Sequence, residues 1–215
     1  KNIAMHKKIT SLVLILWTLF QLNSQNLNIE DQLKNLPGVT FEKVTSSKTT
    51  YELKIKQPID HSDPKKGFFH QKVYLTHTDF THPTVIVTQG YQLRKNREQE
   101  VTKLLNANQI NVEHRFFGDS KPDSLNYKYL NLKQATADLH HIRTLFDKIY
   151  AKKWISTGIS KGGSTTIFYK YFYPNDVDAS ISYVAPLTNS FEDKRIYDFL
   201  NSVGTKECRE KIKNY

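Results

Sequence analysis

Trp154-Ile155-Ser156-Thr157-Gly158-Ile159-Ser160-Lys161-Gly162-Gly163 is the stretch on which the fold turns. Trp154 to Ile159 is a short run rich in apolar and β-branched residues, the composition of a buried strand. From Lys161 to Tyr173 the pattern is helical. Between them Gly158-Ile159-Ser160-Lys161-Gly162 matches G-x-S-x-G, the mark of a sharp strand-to-helix turn that thrusts a serine hydroxyl out at the carboxyl edge of a sheet. Such a turn crowds the backbone, and Gly158, Gly162 and Gly163 supply the room. The helix behind it aims unpaired N–H groups and the positive end of its dipole at charge developing beside the serine. Ser160 is therefore the candidate nucleophile, and the Lys161 N–H is the expected oxyanion donor. Five-residue matches arise by chance, and a tight turn carrying a surface serine would satisfy this one. The strand before it and the helix after it make the match specific.

On either side the chain alternates strands with helices. Thr84-Val85-Ile86-Val87-Thr88 is a continuous apolar run, as expected of a strand covered on both faces of a parallel sheet. Arg97 to Leu105 reads as a helix and Ile110 to Glu113 as a strand. Leu132 to Ile149 is a long amphipathic helix with Leu139, Ile142, Leu145 and Ile149 on one side, and Ala179 to Val184 is another strand. This alternation predicts an α/β sheet with right-handed crossovers. Further upstream, Phe41 to Val44, Tyr51 to Lys56 and Phe69 to Thr76 alternate apolar and polar residues, an antiparallel opening after a polar lead-in that ends at Pro37-Gly38. Gln57 to His61 and Asp63 to Gly67 carry turn chemistry. No repeat, low-complexity tract or linker divides the chain.

A second oxyanion donor is expected from the loop after an earlier strand. Gln89-Gly90-Tyr91 directly follows Thr84 to Thr88, so the Tyr91 N–H is its candidate, against the alternative of an ordinary glycine turn. In this arrangement the triad runs serine, acid, histidine, yet all eight histidines (6, 61, 70, 77, 82, 114, 140 and 141) precede Ser160. Order alone would leave His61 or His114 open as a base, and the turn context argues against both. The chain is accordingly expected to stop before its acid and its histidine, and to be inactive alone. Asp176, Asp178, Asp193 and Asp198 follow the turn too closely to be assigned the acid role. Neighbours such as His140 and His141 point about 100° apart on a helix and no third ligand has suitable spacing, so no metal is expected.

The 215 residues, 38% of them hydrophobic, suffice for one sizeable core. Residues 5–25 begin basic (His6, Lys7, Lys8), run apolar from Ile9 to Phe20 and end polar, which reads as a secretory signal peptide cleaved near Ser24. The apolar part is too short for a stable membrane anchor, which needs about 20 residues. Lys1 to Ala4 precede Met5 and read as upstream frame residues. Residues 1–24 are thus expected to be a leader and 25–215 the N-terminal portion of a catalytic domain, in a secreted or periplasmic protein. The formal net charge is +10, but three of the 31 basic residues lie in the leader and the rest are scattered among acids, so nucleic acid is not an expected partner. Cys208 is the only cysteine, which points to a free thiol or a missing partner.

Four segments, in order, resemble one family: Gln57-Pro58-Ile59-Asp60-His61, Glu113-His114-Arg115-Phe116-Phe117-Gly118-Asp119-Ser120, Gln134-Ala135-Thr136-Ala137-Asp138-Leu139 and Gly158-Ile159-Ser160-Lys161-Gly162-Gly163. Tyr183-Val184-Ala185-Pro186 also fits. Together, from about Leu36 to Tyr215, they are similar to the secreted tripeptidyl aminopeptidases, the PS-10 type or thirty-seventh family of serine peptidases, related to lysosomal prolyl carboxypeptidase and dipeptidyl peptidase II. The resemblance implies an α/β-hydrolase fold with a helical cap and no cofactor. It also implies release of tripeptides or short peptides from free N-termini, with proline preference by analogy. A free N-terminus needs a carboxylate for its α-ammonium. Glu113, at the end of a predicted strand, is the candidate, against the plainer reading of a strand-end ion pair. Arg115, Phe116 and Phe117 read as packing and loop-fixing residues.

Two other functions fit the same residues. G-x-S-x-G serves acyl transfer generally, so a secreted esterase or lipase is the enzyme alternative, although an HGGG-type oxyanion motif is absent. An inactive binding module with an idle serine is the other, disfavoured because half such a sheet exposes an edge and an apolar face.

Overall fold

The computed structural model describes residues 28–215, so the expected leader at 1–24 lies outside the described residues. Helix α1 (Ile29–Lys34) opens the chain, capped where the Asn28 side chain accepts the Glu30 N–H at 3.0 Å. It buries Ile29 and Leu33. This turn falls in the segment read from sequence as a polar lead-in, because two apolar residues in six carry too little periodicity to announce a helix.

Three antiparallel strands follow, β1 (Val39–Val44), β2 (Thr50–Pro58) and β3 (Phe68–Thr76). Leu53 stands opposite Phe41 on one side and Val73 on the other, so the alternation of apolar residues places one face of all three strands inward. β2 runs on through Gln57-Pro58, where a turn is expected from the sequence. Pro58 pairs with Phe68 at the very end of the ladder, where a missing N–H removes no interior bond.

The parallel part comprises β4 (Thr84–Thr88), β5 (Asn108–Val112), β6 (Trp154–Ile159) and β7 (Ala179–Tyr183). Helices α2 (Glu100–Leu104), α3 (Leu132–Phe146) and α4 (Lys161–Phe172) connect them. The seven strands lie in the order β1-β2-β3-β5-β4-β6-β7, which is the α/β-hydrolase fold expected from the sequence. β4 shows the two-faced burial directly. Ile86 joins the larger core with Leu53, Val73, Ile110, Ile142, Phe146 and Trp154, while Val85 and Val87 face Val101 and Ala107 beside α2. Each Val, Leu, Ile or Phe among them contributes about 1.5–3 kcal/mol when fully buried.

Helix α2 is shorter than Arg97 to Leu105 because the buried Gln109 side chain intercepts its start. Gln109 accepts the Gln99 N–H at 2.9 Å and donates to the Arg97 carbonyl at 3.0 Å. Two helices not read from the sequence, α5 (Lys194–Ser202) and α6 (Lys206–Lys213), close the chain and bury none of their residues. Cys208 is exposed on α6 as a free thiol. Among the described residues no helix is long and apolar enough to cross a membrane.

The order of the strands positions the site. From β4 the chain leaves to β5 on one side, and from β6 it leaves to β7 on the other. Loops at the carboxyl ends of β4 and β6 therefore diverge, and that divergence opens the crevice in which α/β sheets bind ligands.

Candidate active site

Ser160 sits between β6 and α4 with φ +56° and ψ −125°, a backbone conformation that costs a non-glycine residue about 1–3 kcal/mol. Two bonds hold it there. Its N–H donates to the Tyr183 carbonyl of β7 at 3.0 Å, and its carbonyl accepts the Ser164 N–H of α4 at 3.0 Å. The Ser160 side chain makes no capping bond to the helix, and the residue is exposed. Glycine is required around it for space. A Cβ at Gly158 would stand 2.6 Å from the Thr88 hydroxyl, and one at Gly162 would run into the Thr88 carbonyl. The Thr88 Oγ1 in turn lies 2.7 Å from both the Gly162 carbonyl and the Thr166 hydroxyl, tying the end of β4 to the first turn of α4.

The loop after β4 comes against the same helix end. A Cβ on Gly90 would lie 2.7 Å from the Lys161 Cβ and 3.0 Å from the Gly162 nitrogen, so only glycine lets the two backbones meet. This contact brings Tyr91 beside Lys161. Neither the Lys161 N–H nor the Tyr91 N–H has an acceptor among the described residues. The Tyr91 carbonyl accepts the His114 N–H at 3.2 Å. His114 is buried, and loss of water, with the nearby Lys161 and Arg115 charges adding to it against the opposing pull of Asp138, lowers its pKa to about 4. It is neutral near pH 7 and faces no free acid.

Glu113 does not take the place expected of it. The residue is 1% exposed, and four donors of its own chain fill its carboxylate. Oε2 accepts the Leu93 N–H at 2.6 Å, while Oε1 accepts the Asp119 N–H at 2.8 Å, the Ser120 N–H at 3.0 Å and the Ser120 hydroxyl at 2.8 Å. No face remains for a substrate ammonium. The plainer expectation of an ion pair with Arg115 or a lysine also differs, since every partner is an amide or a hydroxyl.

Arg115 instead pairs with Asp138 of α3, through Nε to Oδ2 and Nη2 to Oδ1, each at 2.7 Å. Its other donors go to the carbonyls of Pro58, Ile59 and Tyr129 at 3.0–3.1 Å. Both side chains are buried. His61 Nε2 lies 2.7 Å from the same Asp138, so His61 belongs to this network and not to Ser160. His140 and His141 diverge, the first to Asp176 and the second to Gln57, each at 2.8 Å. Asp178 is taken by Lys153 and the Trp154 N–H.

Residues 22–215 match the family described as PS-10 peptidase S37. The chain belongs to this family. Among curated proteins, the S37 chain is similar to the prolyl tri/tetrapeptidyl aminopeptidase of Streptomyces mobaraensis, at 36% identity over 86% of this chain and 40% of that protein. It is also similar to the probable serine protease EDA2 of Arabidopsis thaliana, at 26% identity over 75% and 38%. The chain thus spans about 40% of the length of these relatives. Among solved structures, acetyl xylan esterase 1 of Thermoanaerobacterium sp. JW/SL YS485 matches with a TM-score of 0.52 at 14% identity, over 84% of this chain and 67% of that one. The acetyl xylan esterase of Paenibacillus sp. R4 has a TM-score of 0.52 at 13% identity, over 86% and 64%. At such identities the likeness is one of fold.

The four segments that carry the family resemblance are joined in space. Gln57 donates to Gln71 and to the Asp138 carbonyl, Gln71 donates to the Glu113 carbonyl, and Gln134 accepts the His61 N–H. In this S37 chain three of the four segments therefore form one buried polar network behind the sheet edge, and the fourth carries the serine.

Proposed function

We propose that the whole protein is a secreted serine aminopeptidase that releases tripeptides or other short peptides from free N-termini through an acyl-enzyme on Ser160. The observation that carries this reading is the exposed serine on a left-handed backbone at a helix start, in a chain of the S37 family. Ser160 Oγ attacks the scissile carbonyl and a histidine takes its proton. The Lys161 and Tyr91 amides donate to the oxyanion, where such donors contribute about 10²–10³-fold to rate. The tetrahedral adduct expels the amine as it receives that proton, and water then hydrolyses the ester. Residues 25–215 are, in this reading, the N-terminal portion of the α/β-hydrolase catalytic domain, with acid and histidine supplied by sequence after Tyr215. Residues 1–24 direct export, the chain alone is inactive, and peptides are the partners.

The test uses the full-length protein on tripeptidyl chromogenic amides with free and with acetylated N-termini. Cleavage of the free-amine substrates alone, abolished by Ser160→Ala, is the expected result. Hydrolysis of a nitrophenyl ester with no cleavage of any free-amine peptide would replace the peptidase with an esterase.

A further inference from the structure

The Lys161 side chain has no carboxylate partner among the described residues, although it stands next to the serine and is half-buried. Its ammonium lies 4.6 Å above the Tyr91 ring and 4.6 Å above the Phe117 ring. The two rings meet edge to face, with centroids 5.3 Å apart. A cation shared by two aromatic faces is held by their quadrupoles, and more strongly when water is partly excluded. Lys161 and Tyr91 are also the two residues whose amides are proposed to meet the oxyanion. One side chain thus spans both donors.

The rings are not placed by chance. Phe117 belongs to a strained turn, with Phe116 at φ +68° and Gly118 at φ +53°. Glu113 clamps that turn through the Asp119 and Ser120 amides, and a Cβ on Gly118 would meet the Glu113 Cδ at 2.7 Å. The same carboxylate holds the Tyr91 loop through the Leu93 N–H at 2.6 Å. One buried acid therefore fixes both loops that present an aromatic face to the lysine.

We infer that Lys161, its ammonium held over the Tyr91 and Phe117 rings, is a positioning residue that sets the spacing of the two oxyanion amides. It acts through Tyr91 and touches no reacting atom. The inference rests on the proposed role of Ser160, and it assigns Glu113 to building the clamp.

The experiment compares wild type, Lys161→Met, Lys161→Arg and Phe117→Leu in the full-length protein. It measures kcat and KM on a tripeptidyl amide, the affinity for a peptide boronate that forms a tetrahedral adduct, the affinity for the product tripeptide, and the rate of fluorophosphonate labelling. Lys161→Met keeps the length of the side chain and loses its charge. It is expected to lower kcat, labelling rate and boronate affinity by about tenfold each, with KM and product affinity unchanged. Lys161→Arg restores most of the loss, and Phe117→Leu gives a smaller loss of the same kind. A merely structural role would lower the melting temperature without separating boronate from product affinity, and that result overturns the inference. So does a Lys161→Met protein with unchanged kcat, or one in which KM alone rises, which would make Lys161 a substrate contact. If wild-type protein takes no fluorophosphonate at Ser160, the nucleophile itself is wrong and the clamp falls with it.

Discussion

The backbone of Ser160 is held in the left-handed region by bonds to Tyr183 and Ser164, and the space it needs comes from neighbours without side chains. Gly162→Ala tests this directly, because its Cβ would meet the Thr88 carbonyl, a rigid atom of β4. Overpacking of this kind costs about 1–3 kcal/mol, and the helix start must shift to relieve it. The full-length variant is expected to show a lower urea midpoint and no fluorophosphonate labelling; labelling at the wild-type rate would show that the contact is dispensable. His114 offers a second test at this scale. Its pKa falls from 6.5 to about 4 on folding, chiefly through burial, so the folded state binds fewer protons than the unfolded state between those values. The stability that neutral His114 contributes is complete above pH 6.5 and is lost as pH falls toward 4, about 3 kcal/mol in all. Urea midpoints across this range should rise with pH in the wild type and rise less steeply in His114→Gln. Equal slopes in the two proteins would remove His114 from the pH response.

Among the elements, the joint between α3 and the antiparallel strands depends on the Arg115–Asp138 pair. Five guanidinium bonds and a buried carboxylate are mutually satisfied there, with His61 on the same acid. Replacing one partner leaves the other charged and dry, so Asp138→Asn is expected to destabilise the protein by about 3–5 kcal/mol in urea unfolding. A loss below about 1 kcal/mol would mean that water reaches Arg115. This network also shows what was legible in the sequence. β4 and β6 are legible to the residue because a short run rich in apolar and β-branched residues, bounded by a glycine turn, reads as a buried strand. The start of α2 was misplaced because Gln109, a polar residue buried in a strand, competes for the helix's first groups, and pattern reading takes polar residues to be outside. Glu113 was misread for a similar reason. A strand-end carboxylate facing the active edge looks like a ligand until its donors are known, and three of the four are backbone amides that no residue type announces. The one residue-level signal was Ser120, whose hydroxyl is the fourth donor.

For the whole molecule, the apolar surface is unevenly distributed. β1 and β7 are the two edges of the sheet, and β7 leaves Ile181 exposed. Beyond it Val184, Leu187, Phe191, Ile196, Tyr197, Phe199, Leu200, Val203 and Ile212 are all exposed, along a segment whose two helices bury nothing. An open strand edge beside exposed apolar helices is a template for association, and natural sheets cover or charge such edges. If the catalytic domain extends past Tyr215, as proposed, further strands and helices would cover this region in the way α3 and α4 cover the strands before it. Two preparations separate the possibilities: residues 28–215 alone, and the full-length protein. Residues 28–215 are expected to self-associate in sedimentation velocity and to bind an apolar dye strongly. Phe199→Asp with Ile196→Lys should reduce both effects, because these residues lie on the exposed apolar side of α5. The full-length protein should sediment without dye binding, since its own later residues would occupy the β7 edge. A 28–215 chain that sediments as a monomer, melts cooperatively and ignores the dye would mean that these surfaces need no cover, and the proposal of a larger catalytic domain would lose its structural support.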